Sequence, residues 1–193
     1  MQHVLTPHSE TIEPFAWWEG GFSDQELDWL QNQAIKADQR AQVGGNPAGE
    51  DLAKIRRSQV SWLNKTQDTA WLFEKLGYIA SALNAQYYRF DLTGFGEAIQ
   101  LTNYDQSEHG MYGWHQDYNA KISRKLSIVL QLTDPSQYEG GNLQFMTGGE
   151  PQTIRKQRGL VAVFPSYVLH QVTPVTSGSR QSLVAWISGP AFR

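Results

Sequence analysis

The sequence predicts a mainly β domain, two helices followed by a β-sandwich of jelly-roll type, with the helices backing one sheet. Three observations predict it. Apolar residues recur at helical spacing only in the N-terminal half. The second half carries short strand-like runs instead: Ala98 to Tyr104, Leu126 to Leu132, Asn142 to Met146, Leu160 to Phe164 and Leu183 to Ile187. Turn clusters such as Glu139-Gly140-Gly141-Asn142 and Thr147-Gly148-Gly149 separate them, and many short strands with regular turns indicate a sandwich or barrel.

In chain order, Trp17-Trp18 reads as packing under a first helix. That helix carries Leu27, Leu30, Ala34 and Ile35 at helical spacing, with Ser23 or Asp24 as its cap. Val43 to Asp51 holds three glycines and a proline and reads as an exposed loop. Ile55 to Leu63 reads as a strand. A second helix spans roughly Thr69 to Ala85, with Leu72, Leu76, Ile79 and Leu83 on one stripe. In Leu126 to Leu132 the even positions are all apolar, and Val129 interrupts an otherwise polar opposite side, which fits a strand with one face in a core. No repeat or low-complexity segment divides the chain. Residues 1–193 read as a single domain, with helical support over roughly 20–90 and a catalytic β core over roughly 95–190.

Composition excludes several classes. Hydrophobic residues make up 40% of the chain, too many for a disordered one, and no apolar run approaches membrane-spanning length. A formal net charge of -3 with dispersed bases argues against a phosphate-backbone binder. The absence of cysteine removes disulfides, iron–sulfur clusters and thiol catalysis. Met1 to Glu10 shows neither the basic nor the apolar region of a signal peptide, so a cytoplasmic location is expected.

The chemistry-bearing pattern is His115-x-Asp117, then His170, then Arg180. On a strand, residues i and i+2 share a face, so His115 and Asp117 reach one ion from one stretch of backbone while Trp114 and Gln116 face away, Trp114 into the core. Two imidazoles and one carboxylate hold one face of a divalent metal and leave the opposite positions open, as in the facial triad of non-haem Fe(II) oxygenases. H-x-D alone is a common spacing that satisfied histidines explain as well. Arg180, Ser182, Val184 and Trp186 alternate on the last strand. An inward-facing arginine is costly unless it meets an anion, and its planar fork matches a carboxylate. The plain alternative is an internal ion pair. Tyr104 could add a hydroxyl to the same carboxylate, or be a core aromatic. Arg56 and Arg57 could equally be a solvated strand end. His109 reads as solvated, and His3 and His8 carry no assignment.

In these residues the chain resembles Fe(II)/2-oxoglutarate-dependent dioxygenases of the prolyl 4-hydroxylase-like branch. Gln100 to Tyr104 with Gly113-Trp114-His115-Gln116-Asp117 is similar to the family's ligand strand. Tyr138-Glu139-Gly140-Gly141-Asn142-Leu143 is similar to its Gly-Gly turn, and Gly159 to Pro165 with His170, Arg180 and Trp186 to its distal-ligand segment. Arg56-Arg57-Ser58 resembles an Arg-x-Ser element that contacts peptide there. The resemblance implies a double-stranded β-helix with Fe(II) on His115, Asp117 and His170, and 2-oxoglutarate held by Arg180 and Tyr104. It places substrate against Arg56, Ser58 and Trp186. It implies dioxygen as oxidant, ascorbate as an auxiliary, and hydroxylation of an unactivated C–H in a proline-containing peptide or protein, with release of succinate and carbon dioxide. Two departures stand out. Many relatives carry lysine where Arg180 stands, and Asp105 to Gly110 lengthens the segment between Tyr104 and His115.

Other readings compete. Zinc also takes two histidines and an aspartate and could run a hydrolase, although no general-base signature such as H-E-x-x-H is present. A non-catalytic jelly-roll binding module would have no need of the ligands or Arg180. A nucleic-acid demethylase would carry a second arginine where Trp186 stands. The same oxygenase chemistry on a free amino acid or another small molecule also remains open.

Overall fold

The computed structural model describes residues 13–37, 39–41, 54–118 and 122–191. The chain opens with β1 (Ala16–Trp18) and α1 (Asp24–Ile35), then β2 (Gln39–Arg40), β3 (Arg56–Arg57), β4 (Gln59–Leu63) and α2 (Ala70–Leu83). There follow β5 (Gly94–Phe95), β6 (Ile99–Asp105), β7 (Met111–His115), β8 (Arg124–Gln131), β9 (Tyr138–Gly140) and β10 (Leu143–Met146). The last strands are β11 (Gln152–Thr153), β12 (Val161–Pro165), β13 (Leu169–Val172) and β14 (Val175–Ser188). A major sheet runs β1-β12-β8-β14-β6-β4-β2, with β5 and β9 also paired to β14. A minor sheet runs β11-β10-β13-β7-β3. Two stacked sheets with helices on the outer face of one give the double-stranded β-helix expected from the sequence.

The first helix starts where the sequence says it should. The Ser23 hydroxyl accepts from the Glu26 N–H while the Glu26 carboxylate accepts from the Ser23 N–H at 2.8 Å, a reciprocal capping box. Leu27, Leu30 and Ala34 from α1 join Leu72, Leu76, Ile79 and Leu83 from α2 in one apolar layer. Beneath them lie Ile99, Leu101, Leu126, Ile128, Leu130, Leu183, Ala185 and Ile187 of the major sheet. A second apolar cluster, including Val129, Phe145, Phe164 and Val172, fills the space between the sheets.

Four expectations change. β8 is buried on both faces: Ser127, Val129 and Gln131 roof the inter-sheet space, so their polar character does not signal solvent. Trp114 is 36% exposed, because among the described residues no helix covers the outer face of the minor sheet and β7 turns that side to water. The Ile55–Leu63 run is not one strand. It divides at Ser58, with β3 pairing β7 in the minor sheet and β4 pairing β6 in the major one. Trp17-Trp18 forms β1 against β12; Trp18 meets Tyr78 of α2 edge-on at 6.0 Å and Trp17 is half-exposed. The Val43 to Asp51 loop, His3 and His8 lie outside the described residues. Among the described residues no helix is long and apolar enough to cross a membrane.

Candidate metal centre

Strand pairing assembles the site. His115 ends β7 directly opposite His170 on β13, so two ligands 55 positions apart become cross-strand neighbours. The register slips between His170 and Val172, which oppose His115 and Tyr112. One extra residue in β7 therefore brings Tyr112 and His115, three apart, to the same side. Their rings stack with centroids 3.4 Å apart. Simple alternation could not have shown this.

Asp117 follows the strand end. Its N–H donates to the Ser166 carbonyl at 2.9 Å, fixing the backbone. Its Oδ1 lies 3.7 Å from His115 Nε2 and its Oδ2 lies 3.6 Å from His170 Nε2. The ligand atoms of the three residues all fall within 4.8 Å of one another. Ligands bound side by side at about 2 Å from one ion stand about 3 Å apart, so a small closure seats a metal. Each imidazole is already oriented. His115 Nδ1 lies 2.8 Å from the Gly113 carbonyl and His170 Nδ1 lies 2.9 Å from the Val168 carbonyl. Those oxygens can only accept, so Nδ1 carries the proton and Nε2 keeps its lone pair for a metal.

Electrostatics agree. Burial, then the neighbouring His170, pushes the His115 pKa down to about 4 against the pull of Asp117, so His115 is neutral near pH 7. For Asp117, burial works to raise the pKa, but His170, His115, Trp186 and Ser127 together hold the carboxyl below its ordinary value. The Ser127 hydroxyl donates to Asp117 Oδ2 at 2.7 Å and lies 3.0 Å from Ser166 Oγ. Trp186, 6% exposed, faces the same carboxylate with an indole N–H that has no partner at hydrogen-bond geometry. The Arg124 guanidinium covers that indole at 3.9 Å, donates to both Glu97 oxygens at 2.6 Å and to the Asp117 carbonyl at 3.2 Å.

Arg180 lies deeper on β14. Tyr104 is its cross-strand partner, with the guanidinium 5.4 Å from the phenol ring centroid. The arginine is 2% exposed, Nη1 donates to Ser182 at 3.2 Å, and Nη2 has no partner. Among the described residues no carboxylate pairs with it, so the internal ion pair weighed above is not there. Arg56 is buried rather than solvated. Its Nε donates to Ser58 and its Nη2 to Gln100, each at 2.8 Å, and its face lies 4.5 Å from the Tyr112 ring centroid. Arg57 instead bonds the Glu108 and His109 carbonyls, and His109 itself is exposed.

The donor set suits iron or zinc; Arg180 separates the two readings. An open-faced triad and a buried guanidinium with an unmet N–H, both on the inner side of the sheets, fit a dicarboxylate that also reaches the metal. A hydrolytic zinc site gives that arginine nothing to bind.

Comparison with known proteins follows the same line. The family model described as "2OG-Fe(II) oxygenase superfamily" matches residues 99–188. A PKHD-type hydroxylase of Hyphomonas neptunium is 37% identical over 154 residues, 77% of this chain and 67% of that protein. The chain belongs to the 2OG-Fe(II) oxygenase superfamily, among its PKHD-type hydroxylases. A PKHD-type hydroxylase of Synechococcus sp. (strain CC9605) is 46% identical over 79 residues, 39% of this oxygenase, which spans 36% of that relative's length. A Trichoplax adhaerens prolyl hydroxylase, solved with a hypoxia inducible factor peptide fragment, superposes with a TM-score of 0.76 at 16% identity, covering 91% of this chain and 84% of that one.

Proposed function

We propose that this oxygenase is an Fe(II)- and 2-oxoglutarate-dependent hydroxylase acting on an unactivated C–H of a peptide, with peptidyl proline the favoured target. The single observation that carries the reading is the buried Arg180 guanidinium, with an unpaired Nη2, on the same side of β14 as Trp186, which faces Asp117 of the convergent His115, Asp117 and His170. The peptide preference is supported by the superposed prolyl hydroxylase, whose partner in its structure is a peptide fragment.

Each residue has a physical task. His115 and His170 present Nε2 lone pairs to the metal, while each Nδ1–H stays donated to a backbone carbonyl. Asp117 offers a carboxylate whose Oδ2 is engaged by Ser127, which leaves Oδ1 the freer ligand. Arg180 neutralises the far carboxylate of 2-oxoglutarate, with Tyr104 beside it. When bound, iron and 2-oxoglutarate supply the oxidising equivalent from dioxygen and release succinate and carbon dioxide, with ascorbate as auxiliary reductant. Trp186, roofed by Arg124, is an apolar surface against which substrate packs beside Asp117. Arg56 and Ser58 form the substrate side toward β7, and Arg56 bears on His115 through Tyr112. Exclusion of water by these walls protects the oxidant from idle reaction.

The test is succinate release with Fe(II), ascorbate and a panel of proline-containing peptides, read together with mass spectrometry. One oxygen added to a prolyl residue is the expected product. Turnover on free amino acids alone would move the substrate to small molecules, and failure to bind 2-oxoglutarate under anaerobic conditions would end the oxygenase reading.

A further inference from the structure

Arg180 is not the sole cation at its end of the inner face. The turn Glu139-Gly140-Gly141 folds over it, and Gly141 sits at φ +59 in close quarters. A Cβ there would stand 2.9 Å from Arg180 Cδ and 3.3 Å from Tyr138 Cε2. The Tyr138 ring and the arginine stem therefore flank one glycine, and Tyr138 is 5% exposed. On the same ring rests Lys156, from the segment between β11 and β12, with Nζ 4.3 Å from the centroid. The two cations border one aromatic ring. Each feels the other: Arg180 disfavours the charged form of Lys156, second only to partial burial, while Glu139 pulls the opposite way without reaching ion-pair distance. Among the described residues neither cation has a carboxylate partner.

Two like charges held together without a counter-ion oppose folding unless something on their shared side is negative. A lysine placed only for solubility would gain by extending into water, since its stem is long and flexible. Lys156 instead lies along Tyr138, toward Arg180.

We propose that Lys156 is a positioning residue of the co-substrate anchor, a second cation that acts across the Tyr138 ring to strengthen the hold of Arg180 on a dicarboxylate. The inference rests on the 2-oxoglutarate reading of the Arg180 cavity. Lys156 touches neither iron nor the reacting atoms. It deepens the positive potential at the floor of the cavity, and in the anion-free protein it adds repulsion that the bound dicarboxylate relieves. Gly141 permits the arrangement because any side chain there would drive Arg180 away from Tyr138.

The experiment titrates 2-oxoglutarate into the anaerobic Fe(II)-loaded enzyme, following the visible charge-transfer band, for wild type, K156M, K156Q and K156R. Melting temperature with and without 2-oxoglutarate is the second readout. The charge-free variants should bind about five- to tenfold more weakly, with a shallower salt dependence, and K156R should restore most of the affinity. They should also melt higher than wild type in the absence of 2-oxoglutarate and gain less on its addition, whereas a lysine with a purely structural role would lower the melting temperature when replaced. Binding within twofold of wild type at unchanged salt dependence overturns the proposal, as does a lower anion-free melting temperature. If wild type itself fails to bind 2-oxoglutarate, the co-substrate assignment falls, and the role of Lys156 with it.

Discussion

The two faces of the major sheet are built from the same strands and obey opposite rules. On the helix side, β6, β8 and β14 contribute Ile99, Leu101, Leu126, Ile128, Leu130, Leu183, Ala185 and Ile187, all apolar and all at most 3% exposed. One residue along each strand, the inner face carries Gln100, Thr102, Tyr104, Ser127, Gln131, Arg180 and Ser182, buried almost as deeply and mostly polar, with Val129, Val184 and Trp186 among them. The alternation that normally separates core from solvent here separates one interior from another. The helix side contributes stability. Burying polar groups on the inner side costs stability, offset by internal hydrogen bonds such as Ser127 to Asp117 and Thr102 to Gln100. The offset is incomplete at Arg180 Nη2 and at the Trp186 indole N–H, the latter beside Asp117.

This contrast can be broken by substitution. The largest effect is expected at the ligands. Asp117→Ala, His115→Ala or His170→Ala should abolish turnover and weaken metal binding while leaving a cooperative thermal transition, since none of them belongs to the helix-side layer. Near-normal turnover in any of the three would strike that residue from the centre. Arg180→Ala comes next. It should weaken 2-oxoglutarate by about 2–5 kcal/mol, seen mainly as a raised apparent Michaelis constant, because a buried bidentate partner is lost. An unchanged constant would mean that the anion sits elsewhere. Leu183→Ala, on the other face of the same strand, should do the reverse. It should cost about 2–5 kcal/mol of stability in denaturant unfolding and leave 2-oxoglutarate affinity intact at low temperature. Equal damage to both properties by either variant would dissolve the distinction between the faces.

A finer division lies within the polar face. Ser127→Ala removes the donor on Asp117 Oδ2 without touching a ligand atom. Metal affinity should fall about 10- to 100-fold, the usual consequence of losing a partner that orients a ligand. Titration showing wild-type affinity would reduce Ser127 to a space-filling role.

The sequence made the fold legible wherever alternation or helical spacing met its ordinary environment. The capping box at Ser23 and the apolar stripe of α2 are local signals, and they came through intact. The break at Ser58 did not, because two extended segments read alike whether they pair in one sheet or in two. The candidate ligands and Arg180 could be picked out because their residue types are costly anywhere else. The side taken by Tyr112, the role of Ser127 and the meeting of Tyr138 with Lys156 could not be. Tyr112 depends on a register slip in β7. Ser127 looked like a solvent-facing position on a half-buried strand. Tyr138 and Lys156 meet only through folding of segments that no motif connects.

The smallest expected effect concerns the far end of the same strand pair. Asp105 ends β6, and its carboxylate accepts from the Ser107 hydroxyl at 2.6 Å, the Ser107 N–H at 2.9 Å and the Ser179 hydroxyl of β14. These bonds, Ser107 foremost, hold its pKa below the ordinary value of 3.8. A carboxyl whose folded pKa is depressed binds fewer protons folded than unfolded between the two values. Its contribution is therefore complete above the unfolded pKa and disappears as pH falls through the folded one. Asp105→Ala should cost on the order of 1 kcal/mol near pH 7, after allowance for partial solvent screening, and nothing once the pH is below both values. Stability curves of wild type and variant should therefore converge in acid. Because Asp105 pairs with Ser179, one residue before Arg180, the variant also asks whether loosening this end of β14 reaches the cavity. Unchanged 2-oxoglutarate affinity would show that the pairing of Tyr104 with Arg180 is enough to hold the guanidinium in place.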